Sequence, residues 1–171
     1  AYASLDSELR NEYQLVFAGK FPEYIKNEYK VTAKSKGLSG DELIFTGYIS
    51  DEELVYFYNT CTLYVFPSWH EGFGLPALEA MSCGAAVIGA NATSLPEVIG
   101  NKDALFDPFS EKDIADKIEQ VLRDDSFRLK LIEHGKKQSK LFSWDKTAKE
   151  AIKLMEAVAK PKIKQKVMLP E

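Results

Sequence analysis

The sequence predicts an α/β fold built on an open parallel sheet, and three observations carry that prediction. Short apolar runs rich in β-branched and aromatic residues recur along the chain, each bounded by Gly or Pro. Helix-period patterns lie between them, and the last third of the chain reads as helical throughout. Such alternation makes βαβ units, and their right-handed crossovers give a doubly wound sheet, in which ligands sit beyond the carboxyl ends of the strands.

The strands are expected in YQLVFAG at 13–19, ELIFTG at 42–47, LYVFP at 63–67, AAVIGA at 85–90 and ALFDP at 104–108, all read as buried parallel strands of one sheet. A helix is expected over 22–36. A second runs over 51–60, where Ser50 and Glu53 have the spacing of a capping box. The segment 76–82 starts at a proline, and a short helix at Leu95 has Ser94 and Glu97 placed as another box. Ser110 opens a helix whose Ile114, Ile118, Val121 and Leu122 share one face; 123–135 forms the next; Ser143 caps a last one carrying Ala148, Ile152 and Met155.

Composition bounds the function. A length of 171 residues, 45% hydrophobic, accommodates one domain with a real core. The net charge of −4 comes without a basic block before the tail, so no nucleic-acid partner is expected. Cys61 and Cys83 form neither a C-x-x-C nor a disulfide framework, which points to a reducing, cytoplasmic location and to small core thiols. No apolar run reaches the roughly 20 residues of a membrane helix. The start, AYASLDSELR, has neither an initiator Met nor a signal-peptide profile, so the chain is expected to begin within a longer protein.

The candidate site is the stretch HEGFGLPALEA at 70–80, which joins a glycine turn and a helix start to two carboxylates. Backbone N–H groups of Gly74, Leu75 and their neighbours suit the oxygens of a diphosphate, and side chains are missing at Gly72 and Gly74, so the ligand approaches the main chain closely. Carboxylates beside phosphates are repelled, but aimed outward they accept hydrogen bonds from sugar hydroxyls. Glu71, before the turn, then faces a hexose, and Glu79, about one turn into the helix, chelates the ribose hydroxyls. A nucleotide joined through a diphosphate to a sugar satisfies both.

FPSWHEGFGLPALEAMSCG, with VFAG, IFTGYISDEEL, SLPEVIG and FSWDKTA in that order, resembles the carboxyl-terminal, donor-binding lobe of the family 4 glycosyltransferases, which have the two-lobed GT-B fold. The resemblance runs over 2–158, leaving 159–171 as a basic tail or crossover segment. It implies a Rossmann-like lobe of a retaining enzyme that needs no metal or other cofactor and takes a UDP- or GDP-sugar, GDP-mannose among them. By the same resemblance Glu71 contacts the donor sugar as the catalytic-site carboxylate, and Gly72, Phe73, Gly74 and Leu75 hold sugar and phosphate. Glu79 binds ribose, and Gly19, Gly47, Tyr48 and Ile49 line the base pocket. The acceptor, a sugar or lipid-linked hydroxyl, is expected on an amino-terminal lobe. Residues 1–171 alone are expected to bind donor and transfer nothing. No D-x-D occurs in the chain, in agreement with a metal-free donor site.

Three positions depart from the family pattern. Lys20 and Phe21 separate Gly19 from Pro22, Ala85 and Ala86 replace a small residue and Pro, and the basic residues that face the leaving diphosphate belong upstream of residue 1. SLPEVIG and FSWDKTA also resemble bacterial mannosyl and rhamnosyl transferases of polysaccharide assembly. A sugar-nucleotide epimerase of the same fold, a non-catalytic binding module and, last, a receiver domain are the competing readings. The remaining residues are read structurally: His70 as a loop residue packed by Trp69, His134 as a surface helix residue, and Tyr56 to Tyr58 as core area. The lysine-bearing tail is read as solvated, with a crossover to the other lobe or peripheral contact with the inner face of a membrane as alternatives.

Overall fold

The computed structural model describes residues 1–159, which fall into two compact units, Ala1–Lys140 and one that begins at Leu141. The first unit contains, in chain order, α1 (Ser7–Glu12), β1 (Leu15–Phe17), α2 (Glu23–Ser35), β2 (Leu43–Phe45), α3 (Asp51–Thr60) and β3 (Tyr64–Phe66). It continues with α4 (Leu75–Cys83), β4 (Val87–Ala90), α5 (Leu95–Ile99), β5 (Leu105–Phe106), α6 (Glu111–Arg123) and α7 (Asp125–Gln138). The described part of the second unit is α8 (Trp144–Ala159), where the Ser143 hydroxyl accepts from the Lys146 N–H at 3.5 Å. Beyond Ala159, the expected basic tail lies outside the described residues. Among the described residues, no helix is long and apolar enough to cross a membrane.

All five expected strands form, and every ladder between them is parallel. The single continuous sheet does not: β1 pairs with β2 in one ladder, and β3, β4 and β5 pair in that order in another. In the doubly wound order 3-2-1-4-5-6 these ladders occupy the 3-2 and 4-5-6 flanks, and no strand among the described residues takes the central place. β1 and β2 are accordingly not buried on both faces, since the registered pair Val16 and Ile44 stands 40% and 36% exposed. Their other face is an aromatic cluster, in which Phe17 stacks on Phe45 at 4.9 Å and Phe21 and Tyr29 close over both.

The core is centred on β4, whose four residues are all buried. Ala77, Ala80 and Met81 of α4 and Leu95, Val98 and Ile99 of α5 belong to the same buried cluster, with Val121 and Leu131 from α6 and α7. The amphipathic face expected for α6 is present: Ile118, Val121 and Leu122 are buried and Ile114 packs against the cluster half-buried. Of the expected core tyrosines, Tyr58 is buried and Tyr56 is 71% exposed, because two residues of helix turn about 200° apart onto opposite faces. Cys61 and Cys83 are half-buried against the core, and burial pushes the Cys61 thiol up. α1, which gave no period in its six residues, is started by Asp6, whose carboxylate accepts from the Leu9 N–H at 2.9 Å.

Candidate functional site

The loop after β3 turns through Gly72 and Gly74 into α4, one residue earlier than the proline had indicated. Gly74 is the N-cap, with φ of +101°, and a Cβ there would stand 2.6 Å from Cδ2 of Leu95 and 3.9 Å from Cε1 of Phe66. The missing side chain at Gly74 therefore serves backbone conformation and packing, a correction to the expectation that it clears a ligand path. At Gly72 a Cβ would project into open space, with no heavy atom within 4 Å. Leu75 is exposed at the first helical position, and the N-cap glycine offers no side chain to the first turn of α4. Helix N-termini in this state attract anions.

The turn is clamped from the loop that follows β4. The Glu71 N–H donates to the Thr93 hydroxyl at 3.1 Å, and the Ser94 hydroxyl donates to the carbonyls of Phe73 at 2.8 Å and Glu71 at 3.2 Å. Ser94 is the N-cap of α5 yet makes no cap with its side chain, so the expected capping box with Glu97 is absent. Its single proton is committed to carbonyls more than twenty residues away in sequence. Thr93 has a φ of +48°, the one left-handed non-glycine among the described residues, an uncommon state for a β-branched side chain. Nothing in the local sequence announces either role.

Glu79 lies one turn into α4 and is exposed, and its carboxylate accepts from the Tyr58 hydroxyl of α3 at 3.3 Å. Burial, followed by the facing Tyr64 and Glu79, raises the Tyr58 phenol; burial likewise pushes Tyr64 up to about 12. Tyr58 is thus held as a neutral donor to the carboxylate. Gly19 and Gly47, at the ends of β1 and β2, adopt φ of +130° and +77° and are joined by an antiparallel bridge. The Thr46 hydroxyl accepts from the Gly19 N–H at 3.1 Å and donates to the Gly47 carbonyl at 3.0 Å. Tyr48 stands 81% exposed beyond Gly47, and Ile49 is half-buried.

The ring of Trp69 stacks on Phe109, at 5.4 Å and 21°. The expectation of a surface position for His134 is corrected. His134 is half-buried, with Nε2 at 2.8 Å from the Ile99 carbonyl. With Gln138, whose amide donates to the carbonyls of Glu97 and Val98, it satisfies the carboxyl end of α5.

Parallel ladders flanked by helices, with these glycines and Glu71 in the loops at the carboxyl ends of the strands and Glu79 in the helix that follows, define a Rossmann-like α/β lobe of the GT-B class. The chain belongs to the family described as "Glycosyl transferases group 1", whose model matches residues 1–138. It is 50% identical over 153 residues to the "Serotype-specific mannosyltransferase WbdA" of Escherichia coli, a match covering 89% of this chain and 19% of that protein. The chain thus spans about a fifth of that relative's length. Among solved structures, a sucrose-phosphate synthase from Thermosynechococcus elongatus superposes with a TM-score of 0.74 at 27% identity, covering 85% of this chain and 38% of that one. The C-terminal domain of a glycosyl transferase group 1 family protein from Francisella tularensis gives 0.62 at 35% identity, covering 71% and 64%. The fold is that of the C-terminal lobe of a GT-B glycosyltransferase.

Proposed function

We propose that this chain is the donor-binding lobe of an enzyme that transfers a hexose, mannose foremost, from a nucleoside diphosphate sugar to an acceptor hydroxyl in polysaccharide synthesis. The observation that carries the reading is the clamped turn 71–74 opening α4, with Glu71 before it and Glu79 inside it. The name of the Escherichia coli relative supports mannose as the sugar.

In this reading the diphosphate meets the backbone around Gly72 and Leu75 at the positive end of α4. The same groups stabilise charge that builds on the leaving diphosphate as the glycosidic bond lengthens. Glu71 orients the sugar through its hydroxyls, and Glu79, steadied by Tyr58, accepts from the ribose. The bridged glycines 19 and 47, with Tyr48 and Ile49, receive the base. Transfer proceeds with retention at the anomeric carbon and assigns no metal to the site. Residues 1–171 by themselves bind donor and transfer no sugar.

Binding of GDP, UDP and their hexose esters to the chain, measured by calorimetry, tests the reading. Glu79→Ala is expected to weaken nucleotide and nucleotide-sugar alike, by about 1.5–3 kcal/mol for a lost bond to a charged group. Glu71→Ala is expected to spare the bare diphosphate and weaken the sugar-linked form. Equal losses for both ligands in Glu71→Ala would refute the sugar assignment, and unchanged binding in Glu79→Ala would remove it from the site.

A further inference from the structure

Trp69 and Phe109 are brought together from loops 40 residues apart, yet neither contributes to the core. Trp69 follows β3 and Phe109 follows β5, and β4 lies between those strands. Their stack therefore bridges the carboxyl end of β4, on the edge of the sheet that carries Glu71, two residues from Trp69. The two rings are 63% and 76% exposed, so a large apolar surface is presented to solvent beside a candidate site.

The presentation is built rather than incidental. The Phe109 N–H donates to the Asp107 carboxylate at 2.9 Å, and the Asp107 N–H donates to the Asp113 carboxylate at 2.6 Å. The Asp107 carbonyl accepts from the Ser110 N–H at 3.1 Å, and the Ser110 hydroxyl caps α6 by accepting from the Asp113 N–H. Phe109 thus projects from a turn tied to the start of a helix, which lowers the entropy lost on binding through it.

We propose that Trp69 and Phe109 form an aromatic subsite that stacks on a pyranose ring of the acceptor saccharide, extending the donor site along the sheet. The proposal rests on the donor-lobe reading above. A pyranose offers one face of C–H groups to the negative face of an indole or phenyl ring, while its hydroxyls take hydrogen bonds at the rim. Charge complementarity favours that occupant. The loops 67–74 and 107–110, between β3 and α4 and between β5 and α6, contain Glu71 and Asp107 and no Lys or Arg, which suits a neutral, hydroxyl-rich ligand and disfavours an anionic membrane. Glu79, assigned to the ribose, is held by Tyr58 from α3 and not by either loop.

The test is an NMR titration of the isotope-labelled chain, with the Trp69 and Trp144 indole signals assigned through Trp144→Phe. The probes are α-linked mannotriose, GDP, and vesicles of phosphatidylglycerol. Mannotriose is expected to shift the Trp69 indole and leave Trp144 unmoved. Phe109→Ala, a surface change that keeps the amide dispersion of the folded chain, is expected to weaken that binding about tenfold while GDP affinity holds. Phe109→Tyr, which keeps the ring, restores it. An unmoved Trp69 in mannotriose overturns the proposal, as does a Phe109→Ala chain that titrates like the original or a Trp69 signal that answers vesicles and not saccharide. GDP separates the two readings: failure of GDP to bind, with Trp69 still shifted by mannotriose, overturns the donor reading and supports the subsite.

Discussion

Replacing Gly74 by Ala adds one methyl group where two independent constraints meet. The backbone at Gly74 is left-handed, with φ of +101°, and holding an L-residue in that conformation costs roughly 1–2 kcal/mol. The new Cβ would also stand 2.6 Å from Cδ2 of Leu95, a fully buried side chain, and overpacking of this kind costs about 1–3 kcal/mol. The sum, about 2–5 kcal/mol, is a large share of the stability of an ordinary domain. Urea denaturation with linear extrapolation measures it. A double-mutant cycle then separates the parts: Leu95→Val removes the clashing methyl and alone costs about 1 kcal/mol. In that background Gly74→Ala should keep only its backbone component, so the two changes couple favourably by about 1–3 kcal/mol. A loss below about 0.5 kcal/mol in the original chain, or equal losses in both backgrounds, would refute the packing argument.

Two further outcomes are expected. Ser94→Ala removes the hydroxyl that donates to the Glu71 and Phe73 carbonyls; it should lower stability by about 1 kcal/mol and weaken nucleotide-sugar more than bare nucleotide, as measured by calorimetry. Tyr58 and Tyr64 have folded pKa values above the unfolded value of 10.0, so the neutral phenols favour the folded state. Their contribution is complete below pH 10 and is lost as pH rises toward the folded values, about 12 for Tyr64. Denaturation midpoints should fall across that window, and Tyr58→Phe should flatten the fall; a Tyr58→Phe chain with an unchanged slope would contradict the assignment.

Much of the architecture was legible because its signals are local. Ser50 and Glu53 make the capping box that their spacing announces, with bonds of 2.7 and 3.2 Å. Ser94 and Glu97 have the same spacing and make none, because the Ser94 hydroxyl finds carbonyls on another loop, and no window of sequence around Ser94 contains that partner. The same limit hid Thr93, Tyr58 and the stack of Trp69 on Phe109. Each depends on which strands are neighbours and not on residue spacing. The division of the sheet was hidden for a related reason: apolar runs identify strands but leave open which edges meet. Val16 and Ile44, apolar by sequence and half-open in the structure, show the consequence.

A cradle for anions flanked by two anions is workable only if each carboxylate is oriented by something other than the ligand. For Glu71 the orientation comes through the backbone: its N–H and carbonyl are tied to Thr93 and Ser94, so the direction of its side chain is inherited from the loop after β4. For Glu79 it comes through helix register, five residues on from the N-cap Gly74, and through the Tyr58 hydroxyl on a third element. The two supports share no hydrogen-bonding group. Repulsion between carboxylate and phosphate falls with distance and with solvent screening, and the exposed position of Glu79 supplies the second. In the donor-lobe reading proposed above, the N–H groups at the start of α4 are left to the diphosphate, and the carboxylates to the hydroxyl-bearing parts on either side of it. Divided in this way, the site explains why a change at Glu71 and a change at Glu79 should read differently with the same pair of ligands.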